Sequence, residues 1–161
     1  MRSKKSKILF LDIDGPMIPG RAYTMPGQTK PVVEKFDPVA VGLVNYLCEY
    51  RDWKLVLHSS WITLFGANES VQHCISEGIN QNYFHKHPHC DPELHWRYDR
   101  VAKWLEEHPD TTHYAILDDE PYATGDLVHP KGMINHLVLV EFRDGILNDT
   151  LNQLTGGDFR V

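Results

Sequence analysis

Residues 8–15 have the sequence Ile8-Leu9-Phe10-Leu11-Asp12-Ile13-Asp14-Gly15, an apolar run that ends in two aspartates and a glycine. Consecutive apolar residues without polar alternation are typical of a central strand of a parallel sheet, because such a strand is buried on both faces. A second run of this kind, Tyr114-Ala115-Ile116-Leu117, leads into Asp118-Asp119. Side chains at the carboxyl ends of such strands point into the crevice where open α/β sheets bind ligands. The two runs therefore predict an α/β fold with acidic residues at one edge of its sheet.

The acidic residues also predict a metal site. Four carboxylates, those of Asp12, Asp14, Asp118 and Asp119, are expected to meet at this edge. Their negative charges repel one another unless a cation joins them. A hard divalent cation prefers oxygen ligands, and Mg²⁺ is the simplest candidate.

Strands and helices are predicted to alternate along the rest of the chain. Further strands are expected at residues 53–57, near 82–85 and over 133–140, and helices at 38–50, 68–77, 97–107 and 147–154, with a loop rich in glycine and proline at 15–36. This alternation predicts a doubly wound, mostly parallel sheet with right-handed crossovers. The sequence has no repeat or linker, so we expect a single domain over residues 1–161, with residues 1–7 as a basic tail.

Composition sets broad limits on function. The chain has 161 residues, 42% hydrophobic and 24% charged, which is ordinary for a soluble domain. A net charge of −6 argues against a surface that coats nucleic acid. No segment reads as a signal peptide or a membrane span, so no membrane partner is expected. The three scattered cysteines, Cys48, Cys74 and Cys90, fit a reducing compartment, and a cytoplasmic location is expected.

Four features in this order resemble the haloacid dehalogenase-like (HAD) phosphatases. They are Asp12-Ile13-Asp14-Gly15, Ser59 after a buried strand, a basic residue that opens a later helix, and Asp118-Asp119. The run Leu55-Val56-Leu57-His58-Ser59-Ser60-Trp61 and the stretch from Trp104 to Asp119 look closest to the small branch of this superfamily that is associated with nucleic-acid repair proteins. The resemblance implies a Rossmann-like core with minimal or no cap, and Mg²⁺-dependent hydrolysis of a phosphomonoester.

The resemblance also implies roles for the residues that match. Asp12 is the expected nucleophile, which takes the phosphoryl group as an aspartyl phosphate. Asp14 is the expected general acid and then base. Asp12, the backbone carbonyl of Asp14, and Asp118 are the expected Mg²⁺ ligands, while Asp119 holds a metal-bound water or orients the basic residue. Ser59 is expected to donate a hydrogen bond to a phosphoryl oxygen.

Two of these assignments have alternatives. The basic residue is either Arg97, at the start of its predicted helix, or Lys103, in the middle of the same helix. Ser60 is a possible substitute for Ser59. Pro16 departs from the aliphatic residue or threonine that is common after the motif, which affects the predicted geometry of the turn.

The histidine-rich segment is the other notable cluster. His85, His87, His89, Cys90, Asp91 and His95 could hold zinc, but they lack a recognised zinc signature, and residues next to Pro88 and Pro92 fit a polar loop better.

The intervals between the motifs are too short for a separate folded cap, so an open site is expected. An open site suits a bulky phosphorylated substrate, such as a nucleotide or a nucleic-acid end. The alternative functions are a non-catalytic HAD-fold binding or regulatory module, and a zinc-dependent regulatory protein. The sequence predicts no oligomeric state.

Overall fold

A computed structural model of the chain describes residues 6–26, 34–120 and 133–156. Its centre is a five-stranded sheet in the order β3-β2-β1-β4-β5, in which every neighbouring pair is parallel. The strands are β1 (Ser6–Leu11), β2 (Trp53–Leu57), β3 (Phe84–His89), β4 (Thr111–Asp118) and β5 (Leu137–Leu139). The predicted α/β class with a doubly wound parallel sheet is thus confirmed.

Helices connect the strands. They are α1 (Pro38–Arg51), α2 (Trp61–Leu64), α3 (Ala67–Ser76), α4 (Arg97–Glu107) and α5 (Asn148–Thr155). Helix α1 begins where the sequence predicts, because the Asp37 side chain accepts a hydrogen bond from the backbone N–H of Val39 at 3.1 Å, and Pro38 occupies the first turn. Helices α3, α4 and α5 lie within two residues of their predicted ranges, whereas the short helix α2 was not predicted.

Strand β1 forms the middle of the core. Strands β2 and β4 pair with its two edges, and its apolar residues Ile8, Leu9, Phe10 and Leu11 have no exposed surface because the core packs on both faces of the sheet. Leu11 is level with Leu57 of β2 and with Leu117 of β4, so these three strands end at the same height. The chain passes from β1 to β2 and β3 on one side and then crosses to β4 and β5 on the other. This reversal of strand order is where open α/β sheets form their ligand crevice.

The histidine-rich segment is part of the sheet. Residues 84–89 form the edge strand β3, so the interpretation as a polar loop was wrong for His85, His87 and His89, whereas residues 90–96 do form a loop. The short strand expected near 82–85 is longer and lies further along the chain. An edge strand is paired on one side only, so it tolerates charged residues and proline that a central strand would exclude.

Two other predicted boundaries also change. Residues 133–136 form a short 3₁₀ helix rather than a strand, and only Leu137–Leu139 pair with β4. Ser6 and Lys7 belong to β1 rather than to a tail, while residues 1–5 and part of the predicted loop at 15–36 lie outside the described residues. Among the described helices, none has both the length and the apolar character that crossing a bilayer requires.

Candidate active site

A tight turn follows β1 and positions the first aspartates. Asp12 is buried, and its backbone N–H donates to the carbonyl of Leu117 at 3.0 Å, which fixes it beside the end of β4. The chain then reverses, because the N–H of Ile18 donates to the carbonyl of Ile13 at 3.0 Å. Gly15 adopts a φ of 91°, and a Cβ at this position would collide with the side chain of Asp119. A glycine is therefore required here for both its backbone conformation and its lack of a side chain.

Three of the four predicted carboxylates come together. Oxygen atoms of Asp12, Asp118 and Asp119 all lie within 4.8 Å of one another. Burial, and then the charge of Asp12, raise the pKa of Asp118 well above its usual range. The same two causes raise the pKa of Asp119 to about 6. Nearby positive charge thus does not balance the three carboxylates. Their hard oxygen donors fit a Mg²⁺ ion.

Arg97 supplies positive charge to this cluster. It is the first residue of α4, and its Nη1 donates to Asp12 Oδ2 at 2.8 Å and to Asp118 Oδ2 at 3.0 Å. Its Nη2 donates to Glu120 at 3.2 Å. Lys103, the alternative basic residue, points elsewhere and pairs with Asp91. The structure thus brings Arg97, and not Lys103, to the carboxylates.

The side chain of Asp14 does not join the cluster, so the expectation that four carboxylates converge was wrong for this residue. Asp14 Oδ2 instead accepts a hydrogen bond from the indole Nε1 of Trp61 at 3.0 Å. Partial burial raises the pKa of Asp14, the hydrogen bond from Trp61 lowers it, and the charge of Asp12 raises it further. The sequence did not predict the contact between Trp61 and Asp14, because a large aromatic residue is more often part of the core than of the mouth of a site.

The loop after β2 carries Ser59. This residue is fully buried, and its Oγ accepts a hydrogen bond from the backbone N–H of Trp61 at 3.3 Å. Ser60, the possible substitute, is the N-terminal flanking residue of α2, and its side chain makes no capping hydrogen bond. The buried guanidinium of Arg100 donates to the carbonyl of Ser59 at 3.2 Å and to that of Leu94 at 2.6 Å. Arg100 thereby joins the loop after β2 to the segment that precedes α4.

Comparison with known families identifies the chain. The family described as the HAD domain in Swiss Army Knife RNA repair proteins matches residues 8–151. The chain belongs to this HAD family. No curated protein and no solved structure matches it. The family is the nucleic-acid repair branch that the sequence motifs resembled, and its membership indicates a HAD-type hydrolase.

His58 is buried near the acidic cluster of this HAD domain. Burial lowers its pKa to about 4, so the imidazole is neutral at pH 7. Its Nε2 lies 3.9 Å from Asp118 Oδ2, which is too long for a hydrogen bond. His58 therefore adds no positive charge to compensate the aspartates.

The histidines of β3 do not form a metal site in the described part of the HAD domain. The rings of His85, His87 and His108 lie near one another, with centroids 5.0–5.8 Å apart. Among the described residues, however, the three aspartates are the only group of His, Cys, Asp and Glu with a geometry that suits a metal ion. The zinc hypothesis thus gains no support from this geometry.

Proposed function

We propose that this HAD domain is a Mg²⁺-dependent phosphomonoester hydrolase that acts on phosphates of nucleotides or nucleic-acid ends. The observation that carries this proposal is the environment of Asp12, a buried carboxylate 2.8 Å from Arg97 and within 4.8 Å of two further carboxylates. The side chains of Asp12, Asp118 and Asp119, together with the backbone carbonyl of Asp14, would hold the ion. A bound Mg²⁺ neutralises charge between a carboxylate nucleophile and a phosphate.

The reaction proceeds in two displacements at phosphorus. In the first, a carboxylate oxygen of Asp12 attacks the phosphorus, and the bond from phosphorus to the leaving oxygen breaks. The carboxyl group of Asp14 gives its proton to that oxygen, which leaves as an alcohol. In the second, Asp14 takes a proton from a water molecule whose oxygen attacks the phosphorus. The bond between phosphorus and Asp12 then breaks and releases inorganic phosphate.

The surroundings of each residue support its role. The raised pKa of Asp14 increases the fraction that carries a proton to donate. Arg97 presents Nη1 to the cluster and Nη2 to the neighbouring Glu120, and a guanidinium with two such nitrogens suits the oxygens of a phosphoryl group. The Ser59 hydroxyl lies at the end of β2, beside the strand that carries Asp12, and can donate to a phosphoryl oxygen.

The substrate class rests on the family. The description of the matching family places its HAD domains in RNA repair proteins. From this we infer a phosphate on a nucleotide or at the end of a nucleic acid as the substrate. A competing function is a binding module that keeps the acidic cluster without turnover. Such a module would bind Mg²⁺ but release no phosphate from any substrate.

The proposal is tested by Mg²⁺-dependent phosphate release from a panel of substrates. The panel contains oligonucleotides with 3′- or 5′-phosphates, mononucleotides, sugar phosphates and a phosphopeptide. We expect the wild-type protein to release phosphate from the nucleotide-containing substrates, and the Asp12→Asn protein to release none while its circular dichroism spectrum is unchanged. Release that survives Asp12→Asn, or no release from any substrate with Mg²⁺ present, would contradict the proposal.

A further inference from the structure

A small aromatic pocket has Trp61, the residue that contacts Asp14, in its wall. Its volume is about 210 Å³, and it is lined by Glu34, Trp61, Phe65, Glu69, Ser70 and His73. The Trp61 ring is buried, with its centroid 4.9 Å from that of Phe65 and 5.3 Å from that of His73. Phe65 is 53% exposed. The pocket therefore has a buried aromatic residue in its wall and an exposed ring at its side.

Trp61 connects this pocket to the chemistry. It lines the pocket, and its Nε1 also donates to the carboxylate of Asp14 at 3.0 Å. In the proposed reaction Asp14 gives its proton to the leaving oxygen, so the leaving group must lie against Asp14. A leaving group that contacts Asp14, with its phosphate at Asp12 and Arg97, therefore also lies near Trp61 and within reach of the pocket that Trp61 lines.

The lining indicates what the pocket binds. Exposed aromatic rings stack on planar rings, and every nucleobase offers such a face. The carboxylates of Glu34 and Glu69 repel phosphate, so the pocket suits the uncharged part of a nucleotide. Pockets for drug-sized ligands have volumes of roughly 300–1,000 Å³. The volume of this pocket is smaller and suits a single flat ring.

We propose that this pocket binds the nucleobase of the nucleoside that carries the scissile phosphate, with Phe65 as the stacking surface. This inference rests on the proposed function, because Asp14 points to the leaving group only if it is the general acid. It adds to the proposed function that the enzyme recognises the base of the nucleotide as well as its phosphate.

The test compares Phe65→Ala with Leu64→Ala. Leu64 is the preceding residue, is 69% exposed and does not line the pocket, so it controls for a general change at this surface. Each protein is assayed with 3′-AMP, 5′-AMP and glycerol phosphate, which has no base. We expect Phe65→Ala to lower kcat/KM for the preferred nucleotide about tenfold and to leave glycerol phosphate unchanged. Leu64→Ala should leave both unchanged.

A binding measurement separates this inference from the proposed function. The fluorescence of 2-aminopurine riboside falls when its base stacks on an aromatic ring, whether or not phosphate is released. We expect the wild-type protein and Leu64→Ala to quench it, and Phe65→Ala to quench it much less. Phosphate release without quenching by the wild-type protein, or an equal loss of kcat/KM on all substrates, would overturn the pocket assignment and leave the phosphatase proposal standing. Quenching without release of phosphate from any substrate would overturn the phosphatase proposal and the assignment of the base to a leaving group, and would leave only the stacking of a base on Phe65.

Discussion

At the scale of single residues, the hydrogen bond between Trp61 and Asp14 is the contact that positions the proposed general acid. The indole N–H fixes one carboxylate oxygen of Asp14 at 3.0 Å. Because an indole nitrogen is a donor only, the bond leaves the other oxygen of Asp14 as the one that can carry the transferred proton. Trp61 is therefore a positioning residue for the general acid.

Trp61→Phe keeps an aromatic ring and removes this donor. We expect its effect to depend on the leaving group, because a good leaving group needs little help from a general acid. Hydrolysis of an alkyl phosphate should fall at least about tenfold, whereas hydrolysis of p-nitrophenyl phosphate should change little. Trp53→Phe, at the opposite end of β2, is the matched control. An equal loss on both substrates would show that Trp61 supports the structure of the site rather than the proton transfer.

At the scale of secondary-structure elements, Arg100 joins the loop after β2, which carries Ser59, to the segment that leads into Arg97. This residue of α4 is 3% exposed, although its position in the helix sequence gives no sign of burial. Its guanidinium donates to the carbonyls of Ser59 and Leu94 and to the hydroxyl of Thr63. Loss of this donor leaves the carbonyl of Leu94 without that hydrogen bond and removes one of the two that the buried carbonyl of Ser59 accepts, the other being from the N–H of Ile62.

Arg100→Lys should therefore lower the free energy of unfolding, because an ammonium group cannot reach all three partners at once. Each acceptor left unpaired costs about 1–3 kcal/mol. Lys103→Ala on the same helix breaks two partly exposed ion pairs, with Asp91 and Glu107, and should change the free energy of unfolding much less. Urea unfolding followed by circular dichroism measures both changes. Equal losses for the two variants would refute the role of Arg100 as a link between the loops.

Some of the observed strands and helices could be predicted from the sequence and others could not, for physical reasons. Strands β1 and β4 were predictable because strands buried on both faces leave an uninterrupted apolar run, and the aspartates follow those runs directly. Strand β3 was predicted only in part, near residues 82–85, because an edge strand carries polar residues that also suit a loop. The contacts of Trp61 and Arg100 depend on the course of the short helix α2, which has no periodic pattern in its four residues.

The acidic cluster affects the stability of the whole molecule. Folding places Asp119 close to Asp12 and Asp118, and raises its pKa from 3.8 to about 6. A carboxyl whose pKa is raised on folding favours the unfolded state above its folded pKa, and this cost disappears as the pH falls below its unfolded pKa. The metal-free domain thus gives up stability at neutral pH to keep a site for a cation.

Asp119→Asn should accordingly stabilise the metal-free protein at pH 7. The two pKa values correspond to about 3 kcal/mol, which partial exposure reduces to about 1–2 kcal/mol. The gain should shrink as the pH falls from 7 to 4, because the wild-type carboxyl becomes protonated in the folded state. Added Mg²⁺ should stabilise the wild-type protein more than the variant.

Urea unfolding with EDTA or with Mg²⁺, at a series of pH values, measures these effects. Asp110→Asn removes the same charge from an exposed turn and is the control. A loss of stability in metal-free Asp119→Asn at pH 7, or an equal response of both proteins to Mg²⁺, would refute the assignment of Asp119 to a cation site.

Transfer of the phosphoryl group to Asp12 is the central claim, and chemical trapping tests it most directly. Protein quenched with acid during turnover is treated with borohydride, which reduces an acyl phosphate to an alcohol and so converts the modified aspartate into homoserine. Peptide mass spectrometry then locates the change. We predict homoserine at position 12, only when substrate and Mg²⁺ are both present. Phosphate release with homoserine at Asp118 or Asp119 instead, or at no position, would contradict the mechanism.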